Sequence, residues 1–346
     1  MVEGHLHGIA RYALALAARI PALLPEVEVV GLGPPRGLPE LGRLAPPIPI
    51  RRCGARFLSL LEQPALAAAL VAARADCFHA TSFSLPLLWP GPLVATLHDA
   101  THLVRASDYG PATAVYYRAV VGPRLRRARA RLSVSSFARA ELAERFGLPQ
   151  SAIEVVPQGV DEAFRPPSAD GRAEARQALG LPSRYLLAVG NEKPHKRLGW
   201  LAQLASRLPA PLVVVAGPAV GRLRLPQGVL GLADVDERLL PALYGGAEAL
   251  LLPSVHEGFG LPALEAMACG CPVVAAHAGA LPEVVGDAGL LLEPEAETLW
   301  VQAVQRLEAE PALRRTLVER GLARAKGYSW DACARATADI YRRVLG

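Results

Sequence analysis

Two carboxylates flank a glycine-rich turn in the segment Glu257-Gly258-Phe259-Gly260-Leu261-Pro262-Ala263-Leu264-Glu265. The apolar run Ala249–Leu252 just before it reads as a strand. Pro262 then suits the first turn of a helix, where its missing N–H costs nothing. Gly258 and Gly260 let backbone approach a ligand closely. The helix start offers unpaired N–H groups and a positive dipole end to a phosphate. Glu257 in the loop and Glu265 on the first helical turn can then face one ligand as acceptors for sugar hydroxyls.

A second cluster is Gly190-Asn191-Glu192-Lys193-Pro194-His195-Lys196-Arg197. The chain has three lysines (Lys193, Lys196, Lys326) and one asparagine, Asn191, so a general bias in composition does not account for their crowding here. The cluster follows the strand predicted at Tyr185–Val189. Gly190 allows a tight exit, and Lys196 places an ammonium where it can neutralise charge developing on a phosphate leaving group. A basic surface turn is the plainer reading of the same residues. His98 and His102 stand four apart, with His5 and His7 near the start, but no third acidic ligand is placed among them. A structural histidine at a strand end is the plain alternative for His98.

The elements that must carry these residues alternate. Strands are predicted at Val27–Val30, Cys77–Ala80, Leu93–Leu97, Arg131–Val134 and Ile153–Val156, with helices between them. After a linker-like stretch, Glu162–Arg172, the alternation restarts with strands at Tyr185–Val189, Leu212–Ala216, Val229–Leu232, Ala249–Leu252, Pro272–Ala275 and Gly289–Leu292. Strand–helix alternation implies parallel sheets covered on both faces, and 346 residues suit two such domains. Ligands in such sheets bind beyond the carboxyl ends of the strands. An amphipathic helix, Trp330–Val344, closes the chain.

Composition sets further bounds. No apolar run reaches the roughly 20 residues of a membrane-spanning helix, and no leader pattern opens the sequence; a cytoplasmic protein is expected. The five cysteines, Cys53, Cys77, Cys269, Cys271 and Cys333, are scattered and read as buried free thiols. The net charge of +5 sits in the N-terminal half. Its densest segment, Arg118–Arg131, holds six arginines and no acid, which points to an anionic surface such as the inner face of the cell membrane rather than to nucleic acid. A solvated Arg-rich helix is the simpler account.

With these residues in view, the Glu257–Glu265 segment resembles the signature of glycosyltransferase family 4, retaining enzymes of GT-B fold, and Gly190–Arg197 is similar to the phosphate-binding loop of its mannosyltransferase-like branch. His79-Ala80-Thr81, Thr96-Leu97-His98-Asp99, Val134-Ser135-Ser136-Phe137, Val156-Pro157-Gln158-Gly159-Val160-Asp161 and Pro253-Ser254 extend the likeness over nearly the whole chain. The resemblance implies an α/β protein of two Rossmann-like, doubly wound domains facing a central cleft: residues 1–165 on the acceptor side, 166–327 binding the nucleotide sugar, and a last helix, 328–346, crossing back to the N-domain. It implies that Glu265 holds the ribose, Glu257 a hydroxyl of the transferred sugar, and Lys196 the diphosphate. Backbone around Gly258, Phe259, Gly260 and Leu261 should bind sugar and diphosphate. Leu232 to Asp234 should hold the base, His98 should face sugar and acceptor, and Gly8 should approach the phosphates from the other domain.

Two departures stand out. Asn191 occupies a place that is arginine in many relatives, which leaves diphosphate neutralisation to Lys196, with help from Lys193, His195 or Arg197. The strand that the family has upstream of Gly8 has no counterpart here: either the start is assigned too late or the N-domain sheet lacks that strand. The resemblance implies transfer of a sugar, best guess mannose from GDP-mannose, with retention and no metal or other cofactor. The acceptor could be a glycan, a lipid-linked sugar or a small polyol. A non-catalytic nucleotide-sugar-binding protein and a sugar-nucleotide epimerase are the competing readings. Three lysines disfavour a pyridoxal phosphate phosphorylase, and no early Gly-x-Gly-x-x-Gly supports a dehydrogenase.

Overall fold

The computed structural model describes residues 8–33, 48–53, 61–105 and 111–346. The chain forms two compact units, one reaching to Gly159 and regaining the chain at Trp330–Gly346, the other Val160–Ser329.

In the first unit, α1 (Gly8–Leu23) leads to β1 (Gly31–Gly33) and β2 (Ile50–Arg52), which pair with each other in parallel. Then come α2 (Glu62–Ala72), β3 (Phe78–Ala80), β4 (Leu93–Leu97) and a short α3 (Thr101–Val104). A helical run follows: α4 (Pro111–Tyr116), a π-helical turn (Tyr117–Val121) and α5 (Gly122–Arg126). The segment ends with β5 (Ala130–Ser133), α6 (Ser136–Phe146) and β6 (Glu154–Val155). Strands β3-β4-β5-β6 make a parallel sheet in sequence order. All five residues of β4 are buried, as a strand covered on both faces requires. Phe83, Leu97, Tyr117, Val121 and Phe146 pack in the core beside it.

The second unit runs α7 (Ala169–Leu179), β7 (Leu186–Val189), α8 (Leu198–Gln203), β8 (Leu212–Val215), β9 (Leu230–Leu232), α9 (Leu240–Gly245) and β10 (Ala249–Leu252). It continues with α10 (Leu261–Ala268), β11 (Val273–Ala276), α11 (Leu281–Val285), β12 (Gly289–Leu292), α12 (Glu297–Ala309) and α13 (Pro311–Ala325). The six strands are all parallel in the order β12-β11-β10-β7-β8-β9. From β7 the chain winds outward through β8 and β9, then returns to lay β10 on the other side of β7. The direction of winding therefore reverses between β7 and β10, and their carboxyl ends form the topological switch point where such sheets bind ligands.

Several boundaries differ from the sequence reading. The first strand lies at Gly31–Gly33, beyond the Val27–Val30 run, and Ile50–Arg52 is an additional strand. The stretch read as a linker, Glu162–Arg172, contains the start of α7: the Ser168 hydroxyl accepts from Gly171 N at 3.1 Å and caps the helix. Serine and glycine there serve as helix-start chemistry. Residues upstream of Gly8, where the missing strand was expected, lie outside the described residues, as do His5 and His7. All five cysteines are free thiols, three buried and two half-buried.

The last helix, α14 (Trp330–Leu345), belongs to the first unit and packs on α1. Arg19 Nε meets Asp331 at 2.6 Å, and Arg342 Nη2 donates to Leu23 O at 3.0 Å. A polar chain runs beneath this contact. Tyr12 of α1 and His79 of β3 both hydrogen-bond the Thr96 hydroxyl of β4, at 2.9 and 2.8 Å, and the other His79 nitrogen meets the Tyr341 hydroxyl of α14. Burial, with His98 close by, holds the His79 imidazole far below its usual range, at about 3. The folded unit thus refuses a proton that the unfolded chain takes up near pH 6.5. The stability this neutral His79 contributes is complete above that pH and declines as pH falls towards about 3, by up to about 1.4 kcal/mol per pH unit for one proton. Denaturant unfolding of the first unit across this range should show that decline, and His79→Gln should flatten it. Equal slopes in the two proteins would remove His79 from the acid response.

Candidate functional site

The switch point brings the two sequence clusters together. β7 and β10 pair at Leu186↔Ala249 and Leu187↔Leu250, so the loops that leave their carboxyl ends start side by side. Val255 N donates to His195 O at 2.9 Å and fastens one loop to the other. Lys196 Nζ then donates to both carboxylate oxygens of Glu257, at 2.7 and 2.8 Å. The lysine side chain is 18% exposed and the glutamate 9%, so the pair is largely withdrawn from water.

Each loop is shaped by local chemistry. Gly190 N bonds Val215 O, and a Cβ at Gly190 would lie 3.3 Å from Leu198 Cδ1, so the exit from β7 is packed close. The Asn191 carbonyl oxygen accepts from Lys193 N at 3.1 Å, an Asx turn that directs the chain into the 3-10 turn Pro194–Lys196. Asn191 thus shapes the loop. Arg197 lies over the Trp200 ring, 4.4 Å from its centroid, and within 3.7 Å of Glu295. The His195 ring is buried against His256. Lys196 is therefore the cation of this segment that is paired to Glu257.

On the β10 side, Gly260 caps α10 with φ of +107°. A Cβ there would also fall 2.8 Å from Leu281 Cδ2, so glycine satisfies both the left-handed backbone and the close packing. Phe259 is buried against the Tyr328 ring at 5.7 Å. Among the described residues, the N–H groups of Phe259, Gly260 and Leu261 enter no backbone hydrogen bond, and they lie at the positive end of the helix. Glu265, on the same helix, is buried and accepts from the Tyr244 hydroxyl at 2.9 Å. Leu232 ends β9, its carbonyl accepting from Ala216 N at 3.3 Å, and Asp234 is exposed just beyond.

Two supporting residues, Gly279 and Tyr244, escaped the sequence reading, and Gln158 entered it only as part of a segment of family likeness. Gly279, with φ of +60°, lies against the Glu257 backbone: a Cβ would sit 2.7 Å from Glu257 N and 2.8 Å from Glu257 O. Ala280 N donates to that same carbonyl at 2.9 Å. Tyr244 holds Glu265, and nothing in the local pattern marks it. Gln158 belongs to the first unit, where its amide donates to His98 Nδ1 at 3.0 Å while His98 Nε2 donates to Thr81 O at 3.0 Å. These partners assign the proton to Nε2. Both ring nitrogens are engaged, so a polar contact from the His98 side chain to a substrate requires one bond to be exchanged. Gly8 begins α1 in the same unit. His102 bonds the Tyr117 hydroxyl at 2.7 Å. Among the described residues no group of three or more His, Cys, Asp or Glu side chains is gathered as metal ligands are.

The basic segment divides into inward and outward arginines. Arg124 is buried and donates to Gly91 O at 2.7 Å. Arg131 donates from Nε to Leu125 O at 2.7 Å, and from Nη2 to Arg126 O, at the end of α5. Two of the six arginines are thus internal fasteners. Arg118, Arg126, Arg127 and Arg129 are exposed.

Comparisons with known proteins bear on the family and the fold. Residues 6–164 match the model described as Glycosyltransferase Family 4, and residues 183–310 the one described as Glycosyl transferases group 1. The chain is 32% identical to O-antigen chain mannosyltransferase B of Escherichia coli, over 77% of this chain and 74% of that protein. It is 30% identical to a D-inositol 3-phosphate glycosyltransferase of Streptomyces bingchenggensis, over 99% of this chain and 86% of that protein. The chain belongs to glycosyltransferase family 4. Among solved structures, sucrose-phosphate synthase from Thermosynechococcus elongatus aligns with a TM-score of 0.78 and 23% identity, covering 98% of this chain and 94% of that one. Anabaena HepE in complex with UDP-glucose aligns at 0.81 and 19%, covering 99% and 98%. The fold of this family 4 enzyme is GT-B, two Rossmann-like α/β domains.

Two measurements test the geometry of this candidate site without any substrate. Lys196→Met leaves the Glu257 carboxylate withdrawn from water and unpaired. It should destabilise the second unit by about 3–5 kcal/mol in denaturant unfolding, and adding Glu257→Gln should recover much of that loss. Unchanged stability in Lys196→Met would mean that the pair is not held. Gly279→Ala forces a side chain into the Glu257 backbone and into a left-handed conformation. Its expected loss is about 1–3 kcal/mol; no loss would show that the Gly279 turn does not brace this loop.

Proposed function

We propose that this enzyme transfers mannose from GDP-mannose to a hydroxyl acceptor with retention, forming an α-linkage. The observation that carries the proposal is the Lys196–Glu257 pair at the switch point, beside the start of α10. A nucleotide diphosphate sugar carries negative charge at the diphosphate and hydroxyls on either side of it. Lys196 turns from Glu257 to the diphosphate, and Glu257 then accepts from a hydroxyl of the transferred sugar. Glu265, steadied by Tyr244, accepts from the ribose hydroxyls. The N–H groups of Phe259, Gly260 and Leu261 complete the anion site, with Gly190, Asn191 and Gly258 shaping its walls and Leu232 to Asp234 on the base side. Gly8 and His98 are proposed to contact the donor and acceptor from the first unit.

Retention through a covalent intermediate needs a carboxylate nucleophile at the anomeric carbon. Both acids of this site are assigned to hydroxyls, so front-face attack is the step proposed. The bond from the anomeric carbon to the phosphate oxygen breaks ahead of attack, and the acceptor oxygen bonds to that carbon from the same face. The acceptor proton passes to the leaving phosphate. Lys196 and the helix start stabilise the charge on that phosphate, and the reading calls for no metal or other cofactor.

Mannose is supported by the Escherichia coli relative named a mannosyltransferase. The several relatives named D-inositol 3-phosphate glycosyltransferase favour a second reading of the acceptor, a phosphorylated small polyol in place of a growing or lipid-linked glycan. The exposed Arg118, Arg126, Arg127 and Arg129 suit an anionic acceptor or the membrane face that presents one. No described helix is long and apolar enough to cross a membrane.

Thermal unfolding with GDP-mannose, UDP-glucose and UDP-N-acetylglucosamine tests the donor, and GDP-mannose should raise the transition most. Anomer-resolved NMR of the transfer product should show the α-configuration. Lys196→Ala should lower kcat by about 10²–10³-fold. Stabilisation by UDP-sugars alone would overturn the donor, and a β-product would overturn retention.

A further inference from the structure

Among the described residues three that are not glycine have positive φ: Arg74, Arg197 and Arg224. This conformation crowds the side chain against the following carbonyl and persists where its surroundings hold it. Arg74 and Arg224 are exposed and lie outside the two site loops. Arg197, with φ of +53° and ψ of +25°, directly follows Lys196, and its side chain is 16% exposed. Strained backbone beside the ammonium of the candidate site is a place to look for function.

The left-handed residue divides what would otherwise run on as one right-handed helix. Pro194–Lys196 form a 3-10 turn, and α8 starts at Leu198. Arg197 N donates back to Pro194 O at 3.1 Å, and its carbonyl accepts from Leu201 N at 3.0 Å, so it closes the turn and opens the helix. Both neighbours are pinned. His195 O accepts from Val255 N of the glutamate loop, and Leu198 and Leu201 of α8 are buried. A right-handed residue at 197 would merge turn and helix and rotate Lys196 off the line on which it meets Glu257.

The arginine side chain supplies the hold. Its guanidinium lies 4.4 Å from the centroid of the Trp200 ring and within 3.7 Å of Glu295. Trp200 stands edge-on to Trp300 at 5.8 Å. Trp300 is fully buried, and its Nε1 donates to Glu293 O at 3.1 Å. The series Trp300–Trp200–Arg197 thus reaches from the core of the second unit to the residue after Lys196. It draws the guanidinium toward the turn after β12, while Lys196 extends to Glu257.

We propose that Arg197 is a positioning residue: anchored on Trp200, it keeps its backbone left-handed and so sets the direction in which Lys196 leaves the turn. The consequence for catalysis rests on the assignment of Lys196 to the diphosphate. Glycine at 197 accepts the left-handed conformation without an anchor, whereas alanine has neither that freedom nor the anchor. This difference separates a backbone role from a direct contact between the guanidinium and the donor.

The lysines give a readout that needs no donor. With three in the chain, [ε-13C]lysine-labelled enzyme gives three sets of NMR signals, and Lys196→Met identifies that of Lys196. Arg197→Ala should move the Lys196 signal toward the position of free lysine and leave Lys326 unmoved, and Arg197→Gly should hold it close to the parent position. Trp200→Leu should act like Arg197→Ala, and adding Arg197→Gly should rescue it, which a loss of packing alone would not allow. If Trp200→Leu does not fold, Trp200→Phe takes its place, with a smaller shift in the same direction. In hydrolysis of GDP-mannose, Arg197→Ala should lower kcat about ten- to hundredfold, with KM within about twofold. Arg197→Gly should recover most of that loss. In a Lys196→Met background, Arg197→Ala should change the rate by less than about twofold, because its effect passes through the lysine. An unmoved Lys196 signal in Arg197→Ala, or a glycine variant as impaired as the alanine one, would overturn the proposal. Undiminished hydrolysis by Lys196→Met would overturn the diphosphate assignment instead, and the lysine signals would still decide whether Arg197 positions Lys196.

Discussion

The placement of β10 beside β7 is the constraint on which the candidate donor site depends. Two loops separated by about 60 residues of sequence must meet for Lys196 to reach Glu257. They do so because the sheet reverses its winding between the two strands that deliver them. Nothing in either loop alone creates the pairing. The strands need only be apolar enough to be buried on both faces, and β7, β8, β10 and β11 meet that demand almost without a polar residue. Once they are side by side, short-range devices set the final geometry: an Asx turn at Asn191, a left-handed cap at Gly260, and the Gly279 turn against the backbone of Glu257.

The first unit solves a different problem, the attachment of a helix that arrives from the far end of the chain. Apolar packing of α14 on α1 is not directional, and an amphipathic helix can slide or rotate on such a surface. The Tyr341–His79–Thr96–Tyr12 chain supplies direction, because each group has one arrangement that satisfies the others. A neutral His79 is part of that arrangement, so the same burial that fixes the helix makes the contact sensitive to acid. His98 lies next to this chain, with the Tyr12 ring edge-on at 5.1 Å. Its ring is oriented by Gln158 and Thr81, which ties its position to the same packed layer.

Much of this was legible in the residues. Long buried strands such as Leu93–Leu97 and Ala249–Leu252 announce themselves, because four or five apolar positions between turn residues have few other uses. The lysine loop and the glutamate loop were each marked by residue type and spacing, but their joint action came from the family resemblance, and the direct Lys196–Glu257 ion pair was not foreseen. Short edge strands were not: Ile50–Arg52 carries two exposed arginines and has no apolar period to detect. The start of α7 was hidden because serine, glycine and proline mark helix caps and linkers alike. The Arg118–Arg131 segment was legible only in part. A run of like charges suggests an outward patch, yet Arg124 and Arg131 turn their guanidinium groups to carbonyls within the unit. Tyr244 and Gly279 act through distant backbone and side-chain contacts, and one sequence carries no trace of those.

The ion pair also bears on how tightly a donor can bind. A lysine and a glutamate both largely withdrawn from water are costly to separate, and Lys196 and Glu257 are such a pair. In the proposed donor complex Lys196 leaves Glu257 for the diphosphate, and affinity on that proposal is a difference between two paired states. The exchange is not balanced in charge, because Lys196 trades a carboxylate for a phosphate while Glu257 trades an ammonium for a neutral hydroxyl, and the diphosphate brings a second negative charge. That excess must be offset by the N–H groups at the start of α10. A ligand offering only a sugar would leave the lysine without an anion, and one offering only phosphate would leave Glu257 without a donor. Both halves of the ligand are needed before the pair can open without leaving a buried charge uncompensated. On this reading the pair discriminates for an intact nucleotide sugar, with the lysine and the helix start acting together on the group that must leave.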